Sequence, residues 1–299
     1  MPTLEIALPL EEQLPAQAGP ESDRAVPATT PRRRIAPSKL LGRARDALLA
    51  LAFPVVVLSV WEFLARRGSI NPSILPSPTE IWSTFLDLMK TGELENHVRT
   101  SLLRVVEGFA VGATLGVLAG FAIGLSATVE KSLVLVTGLL RPIPIIAWVP
   151  VLILWVGIDE ASKVTVIAIG SFWPVLLNSI HGIRGTDPKF LEVARILGKS
   201  KWTILSKVIF PSALPSIFTG LRIGVGIAWT SVIGAELIAA SSGVGYLIMY
   251  ARELSQPDVM LVGVFSIGIV GLTIDFLLRR IERRVLRWNL VHQGKERKP

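Results

Sequence analysis

Cysteine is absent from this 299-residue sequence. That absence excludes disulfides, cysteine-ligated zinc, iron–sulfur clusters and thiol nucleophiles. Histidine is scarce, and the three that occur (His97, His181 and His292) are too scattered to suggest a metal cluster. Charge is also low, because 18% of the residues are charged against about 25% in an ordinary soluble domain. The sequence therefore predicts no cofactor in this chain and does not fit a typical soluble protein.

Long apolar blocks are what the sequence does contain. Hydrophobic residues make up 51% of the chain, and the mean hydropathy is +0.55. A helix that crosses a bilayer needs about 20 mainly apolar residues. Six segments qualify, at 47–65, 102–125, 133–156, 164–180, 214–239 and 260–278. We therefore predict an all-α membrane protein with six transmembrane helices.

The domain organisation follows from these segments. Residues 1–46 contain seven prolines and no apolar run, which predicts a disordered cytoplasmic N-terminal tail and no signal peptide. A six-helix membrane domain is predicted at 47–288, with a core at roughly 98–285. A short cytoplasmic C-terminal tail is predicted at 289–299. The third span is predicted to be kinked or broken, because it contains three prolines: Pro142, Pro144 and Pro150.

The distribution of basic residues predicts the orientation. The net charge of +8 comes from 31 Lys and Arg against 23 Asp and Glu. Basic residues concentrate before the first span, in the loop at 181–213 and after the sixth span. Such residues favour the cytoplasmic side, so both termini and this loop are predicted to be cytoplasmic, in a bacterial inner-membrane protein. Membrane topology thus explains the surplus charge, and no nucleic-acid partner is expected.

Glycines recur every four residues in the second span. They are Gly108, Gly112, Gly116, Gly120 and Gly124. This spacing places them on one slowly drifting stripe of a helix, where another helix backbone can approach closely. Two interpretations remain open: packing within the subunit, or a dimer or moving gate surface.

Polar and ionisable residues inside the spans are candidates for a translocation path, because such residues are costly in a membrane. Arg104 and Glu107 are one turn apart and could pair on one face of the helix. The candidate path residues are Arg141, Arg222, Thr230, Ser231 and Glu236. Alternatives stay open: the two arginines can snorkel to the cytoplasmic surface, and Glu236 can serve a polar contact between helices.

The loop at 181–213 contains an amphipathic helix too short to span a membrane. Asp187 can cap it, Pro188 suits its first position, and Gly198 is expected to end it. A second amphipathic piece at 202–209 runs to Pro211. Such a helix must dock on the membrane surface or on a partner protein.

The same loop resembles the EAA motif of ABC importer permeases, E-A-A-x3-G-x9-I-x-L-P. The matching positions are Glu192, Val193, Ala194, Gly198 and Pro211, with Val193 at the motif's second position, where the family has alanine. The resemblance covers roughly 50–290 and is closest to the nitrate, sulfonate and taurine branch. The stretches 150–163, 173–184, 240–253 and 282–289 resemble aliphatic sulfonate permeases in particular.

This resemblance implies a type I (MetI-like) permease fold whose segment 192–198 is a coupling helix. It also implies a homodimer, two cytoplasmic ATP-binding subunits and a periplasmic or lipid-anchored binding protein. The implied cargo is a small anion, first an aliphatic sulfonate, then taurine, then nitrate, bicarbonate or cyanate, then a vitamin precursor. The chain itself is expected to be a transport subunit and no enzyme.

Rival interpretations of the sequence are weaker. Gly198-Lys199-Ser200 resembles the end of a phosphate-binding P-loop, but that motif needs a glycine at position 193, where this chain has Val193. A carrier that needs no ATPase does not require a capped loop helix of this spacing. Many such carriers also contain internal repeats, and none is evident in this sequence. The buried charges and the broken third span count against a purely structural anchor.

Overall fold

The computed structural model describes residues 37–286, which form eleven α-helices and one π turn. The helices are α1 (Pro37–Arg66), α2 (Pro78–Lys90), α3 (Glu93–Leu125), α4 (Ala127–Leu140), α5 (Ile145–Val156), α6 (Glu160–Arg184), α7 (Pro188–Ile196), α8 (Lys201–Ile204), α9 (Phe210–Ala239), α10 (Val244–Glu253) and α11 (Pro257–Val285). The π turn, Leu205–Ile209, joins α8 to α9. No strand occurs within these residues, in agreement with the predicted all-α fold.

Helices α3 and α6 pack side by side in parallel. A Cβ added at Gly108 would lie 2.6 Å from the Cβ of Ile167, and one added at Gly124 would lie 3.0 Å from the Cδ1 of Ile183. Both residue numbers rise together, so the helices point the same way. Each glycine of the predicted stripe meets α6 of the same chain in this way. The stripe is therefore an intra-subunit packing surface in this conformation, and a gate role remains a prediction.

Helix α9 packs against the other side of α6 in the opposite direction. A Cβ at Gly220 would lie 2.7 Å from the Cβ of Asn178, and one at Gly224 would lie 3.0 Å from the Cγ2 of Val175. Here one residue number rises while the other falls. Glycine again permits the close approach, because a side chain in its place would occupy space that α6 already fills. Helices α3, α6 and α9 thus form the packed centre of the bundle.

The parallel pair α3 and α6 dictates how the chain must return. Because α3 ends at one end of the bundle and α6 begins at the other, residues 126–159 have to travel back along its length. Helices α4 and α5 make this return as a pair bent by 96°. The bend follows Arg141 and contains Pro142 and Pro144, as the prolines in the third span predicted.

Helices α2, α10 and α11 pack together at the end of the bundle where α3 begins. Their shared apolar cluster contains Ile81 of α2, Leu94 of α3, Leu247 of α10 and Val262 of α11. Within the unit that begins at Val55, Glu62 of α1 holds the start of α2. Its carboxylate accepts hydrogen bonds from the amide (3.1 Å) and hydroxyl (2.8 Å) of Thr79.

The predicted spans correspond to helices, but the count of six remains a prediction. Four segments are long and apolar enough to cross a membrane: Glu93–Leu125, Glu160–Arg184, Lys201–Glu253 and Pro257–Val285. The bent α4–α5 pair can supply a fifth, and the first predicted span, 47–65, lies on α1. Helix α1 begins at Pro37, inside the segment assigned to the N-terminal tail. Residues 1–36 of that tail and the C-terminal tail at 289–299 lie outside the described residues.

Candidate functional site

The loop that resembles the EAA motif forms a capped helix, α7. The Asp187 side chain accepts a hydrogen bond from the amide of Lys189 at 2.9 Å, and Pro188 occupies the first turn. Gly198 ends the helix with φ at +65°, a left-handed conformation that favours glycine. The amide of Lys199 then donates to the carbonyl of Ala194 at 3.1 Å. These contacts give α7 two fixed ends.

The outward surface of α7 and α8 carries large apolar side chains beside exposed charged ones. Ile196 is 84% exposed, and Phe190, Val193, Leu197 and Trp202 are exposed beside it. We call these five residues the loop patch. Single exposed apolar residues are ordinary, but several large ones within one short loop indicate a surface that a partner or a membrane covers.

The residues predicted for coupling do not all face the same way. Glu192 and Val193 are exposed, whereas Ala194 is only 7% exposed and packs inward. Gly198 has open space around its Cα, so its backbone conformation rather than crowding selects glycine. Pro211 is half-buried at the start of α9. Ala194 therefore supports the helix from within, and Glu192 and Val193 are the residues that a partner could touch.

A π turn links this loop to the central helix α9. It is Leu205–Ile209, and at its end the amide of Phe210 donates to the carbonyl of Leu205. Pro211 follows at once and has no N–H to donate to the preceding turn. The helical ladder is thus irregular where the loop meets the bundle. The sequence did not predict this turn, although the part of the motif that corresponds to I-x-L-P coincides with it.

The most highly charged buried site is a network around Arg104 of α3. The guanidinium is 3% exposed and donates from Nε (2.5 Å) and Nη2 (2.7 Å) to the carboxylate of Glu160 at the start of α6. It also donates from Nη1 to Glu236 of α9 at 2.8 Å and to the carbonyl of Ser242 at 2.6 Å. One arginine therefore joins all three central helices and the loop after α9.

Glu236 is the buried centre of this network. Besides Arg104, its carboxylate accepts hydrogen bonds from the Ser101 hydroxyl at 2.8 Å and the Gly245 amide at 2.9 Å. Ser101 in turn accepts from the Val244 amide at 2.9 Å. Every contact here is internal, so Glu236 serves polar helix contact rather than a cavity wall in this conformation.

The pairing expected between Arg104 and Glu107 is wrong. Arg104 bonds instead to Glu160 and Glu236, which are distant in sequence. Glu160 was not singled out by the sequence analysis, because it lies just before the predicted fourth span. Glu160 is the first residue of α6, and it meets Arg104 because α6 packs in parallel with α3. The glycine spacing in α3 predicts close packing but does not show which helix packs there or in which direction.

The other candidate path residues lie apart from one another. Arg222 pairs with Asp275 and Glu282 of α11, each at 3.3 Å, so its charge is already compensated. Thr230 is exposed, and its hydroxyl donates to its own helix. Ser231 is buried with no hydrogen-bond partner for its hydroxyl among the residues described. The structure does not bring these residues together around one cavity.

Arg141 is the one candidate path residue whose charge is exposed and has no ionic partner described. It lies at the bend between α4 and α5. Its guanidinium forms no ion pair with any side chain described at 49 or 51–286. The neighbouring Ile145 contacts Gly170, since a Cβ built there would lie 3.5 Å from Ile145 Cγ1. Gly170 is ten residues from the start of α6, or about 15 Å along the helix. The bend, and Arg141 with it, therefore lies near the middle of the bundle.

An apolar groove of about 490 Å³ opens between α3, α4 and α6. Leu115 of α3, Leu140 of α4, Trp148 of α5 and Phe172 of α6 are among its lining residues. Its walls carry no charged side chain, so the groove itself offers nothing to hold an anion.

Comparison with known proteins gives consistent similarities. The family model described as "Binding-protein-dependent transport system inner membrane component" matches residues 112–287. A putative aliphatic sulfonates transport permease protein of Bacillus subtilis is 41% identical over 255 residues, covering 85% of this chain and 92% of the relative. A taurine transport system permease protein of Escherichia coli is 34% identical, covering 82% and 91%.

Solved structures of ABC transporters have a similar fold. A methionine ABC transporter in an inward-facing conformation superposes with a TM-score of 0.54 at 19% identity, covering 65% of this chain and 95% of the other. At that identity the likeness concerns the fold alone. It agrees with the predicted type I, MetI-like architecture.

Proposed function

The chain belongs to the binding-protein-dependent transport system inner membrane component family, and from this premise we propose that it carries a small anion, an aliphatic sulfonate, through a bacterial inner membrane. It is an ABC importer permease subunit and not an enzyme, and ATP hydrolysis belongs to a separate subunit. The sulfonate assignment rests on similarity to permeases named for aliphatic sulfonates and taurine. Taurine is the second candidate, followed by nitrate, bicarbonate or cyanate.

We propose further that the working assembly is a permease homodimer with two ATP-binding subunits, served by a binding protein. The observation that supports the ATP-binding partner is the loop patch, whose apolar side chains are exposed on and beside a helix with two fixed ends, while the second permease copy and the binding protein are inferred from the family. Closure of the ATP-binding pair on ATP would draw the two copies of α7 together. The bundles would then alternate between inward- and outward-facing states, because ATP binds one state better than the other.

Arg141 is our candidate for the anion path. An exposed arginine near the middle of a membrane costs about 2.5–3.5 kcal/mol if it faces lipid. That cost disappears if the side chain faces a water-filled path or the second permease copy. There its cation would attract a sulfonate group.

We expect Arg141→Gln to lower uptake while the ATP-binding subunit stays attached. Arg141→Lys should keep most of the uptake, because it preserves the positive charge. Equal uptake by both variants and the wild type would remove Arg141 from the path.

The coupling role of the loop is tested by two substitutions. We expect Glu192→Lys to weaken docking of the ATP-binding subunit, because it reverses an exposed charge. Gly198→Asp should weaken the same docking, because it adds a charge where α7 ends. The ATP-binding subunit should then co-purify poorly and uptake should fall, while the permease still inserts in the membrane. The matched controls are Glu253→Lys, an exposed glutamate on α10, and Gly198→Asn, which tolerates the left-handed backbone without a charge. If both test variants keep the ATP-binding subunit and full uptake, the loop assignment is wrong.

The substrate is tested on the partner binding protein by titration calorimetry. Alkanesulfonates, taurine and nitrate should be compared in one panel, because the binding protein sets much of the specificity in this importer class. Saturable binding of alkanesulfonates is the expected result. Binding of nitrate without any sulfonate would overturn the substrate while leaving the importer assignment intact.

The rival from another class is a carrier that needs no ATPase. Family membership and the capped loop helix both oppose it. Uptake in membrane vesicles stripped of ATP-binding subunits separates the two, since the importer should show none.

A further inference from the structure

The last turns of α11 carry four exposed arginines. Arg279, Arg280, Arg283 and Arg284 surround a cavity of about 450 Å³ together with Phe276. The cavity lies where the apolar part of α11 ends. Its lining is therefore cationic on one side and aromatic on the other.

The nearby carboxylates leave most of this charge uncompensated. Asp275 pairs with Arg279, and it also pairs with Arg222 of α9 at 3.3 Å. Glu282 pairs with Arg222 as well. Among the residues whose side chains the structure describes, 49 and 51–286, no ion pair involves Arg280, Arg283 or Arg284. Three cations are thus available to an anion from outside the described chain.

The same face of α11 is apolar before it is cationic. Ile269, Leu272 and Phe276 are exposed, Leu272 to 73%, and Arg280 and Arg283 continue their helical spacing. Steps of three or four residues keep all five on one stripe. From Ile269 to Arg283 the stripe is about 21 Å long. A phospholipid has a matching arrangement, because its apolar acyl chain leads to an anionic headgroup.

We propose that this stripe binds one anionic phospholipid. Its phosphate would lie against Arg280 and Arg283, and an acyl chain would follow Phe276, Leu272 and Ile269. Guanidinium groups bind phosphate oxygens with two parallel hydrogen bonds, which an ammonium cannot match. Basic pockets beside membrane helices are known to hold anionic headgroups in this manner. The site does not depend on which anion the importer carries.

The test uses the purified importer complex in lipid nanodiscs. Phosphatidylglycerol retention is measured by native mass spectrometry for the wild type and for the double variant Arg280→Gln/Arg283→Gln. We expect retention to weaken about fivefold per arginine removed. The charge-preserving variant Arg280→Lys/Arg283→Lys should fall between them. The matched control is Arg66→Gln/Arg67→Gln, which removes two arginines after the apolar part of α1, where Arg66 pairs with Glu62 and Arg67 lies over Phe63.

Three results would overturn the proposal. The first is a lack of specificity: either the wild type and the double variant retain phosphatidylglycerol equally, or the wild type retains phosphatidylcholine as well as it retains phosphatidylglycerol. The second is displacement of the lipid by millimolar inorganic phosphate, which would make free phosphate the ligand. The third is loss of the ATP-binding subunit from the double variant with lipid retention unchanged, which would make the arginines a protein contact.

Discussion

Arg104 uses all five of its N–H groups on acceptors inside the bundle. Two go to Glu160, one to Glu236, and two to the carbonyl and hydroxyl of Ser242. A buried charge is costly unless each donor is satisfied and an opposite charge lies close. Here both conditions are met for Arg104 and for Glu236. The network therefore fixes α3, α6 and α9 at one end of the bundle with little tolerance for the loss of one member.

We expect Arg104→Gln to be strongly destabilising, because it leaves Glu236 buried without its cation. Breaking one partner of a buried pair costs about 3–5 kcal/mol. The double variant Arg104→Gln/Glu236→Gln should lose less than the two single variants together, with a coupling of about 0.5–3 kcal/mol. Unfolding of the purified protein in lipid nanodiscs measures all three variants. Simple additivity would show that the two residues act independently.

Residue-level expectations succeeded where the cause was local. Asp187 and Gly198 fix the ends of α7 through nearby backbone groups, so their neighbours in sequence were enough to predict them. The partner predicted for Arg104 was wrong, because its actual partners lie on other helices. The local choice, Glu107, lay one turn away, but tertiary contacts satisfied the arginine instead.

At the scale of elements, the packing of α6 depends on glycines on both of its neighbours. Gly220 of α9 meets Asn178 and the carbonyl of Pro174, whereas Gly226 on the same helix has nothing within 4 Å of an added Cβ. Gly220 is buried, whereas Gly226 is exposed. They offer a matched pair for testing close helix approach.

We expect Gly220→Ala to destabilise the bundle and Gly226→Ala to leave it unchanged or slightly stabilised. The first forces α6 and α9 apart, and overpacking of this kind costs about 1–3 kcal/mol. The second adds only helix propensity, worth up to about 1 kcal/mol. Thermal unfolding in nanodiscs compares them. If both variants behave alike, glycine at 220 is not required by packing.

The pattern of elements was predictable as far as composition and spacing determine it. Apolar runs located the helices, and three prolines predicted the break that appears as the 96° bend. Helices α2 and α10 were not predicted, since they are too short to register as spans. The π turn was also missed, because its i→i+5 hydrogen bonds leave no periodic signal in the sequence over a single turn.

For the whole molecule, two independent observations bear on topology. Basic residues cluster before the first span, at 181–213 and after the sixth span. The parallel packing of α3 and α6 separately requires the chain to cross back through 126–159. The packing orders the crossings relative to one another, while only the charge asymmetry predicts which end is cytoplasmic.

Single-cysteine labelling tests that orientation directly, because the native chain has no cysteine and gives no background. We expect Ile196→Cys, on the exposed loop patch, to react with a membrane-impermeant maleimide only after permeabilisation of cells. Lys90→Cys, whose side chain is exposed at the end of α2, should react in intact cells. Ala228→Cys, fully buried in α9, is the negative control. Labelling of Ile196→Cys from outside would reverse the topology, and the loop could then not meet a cytoplasmic ATP-binding subunit.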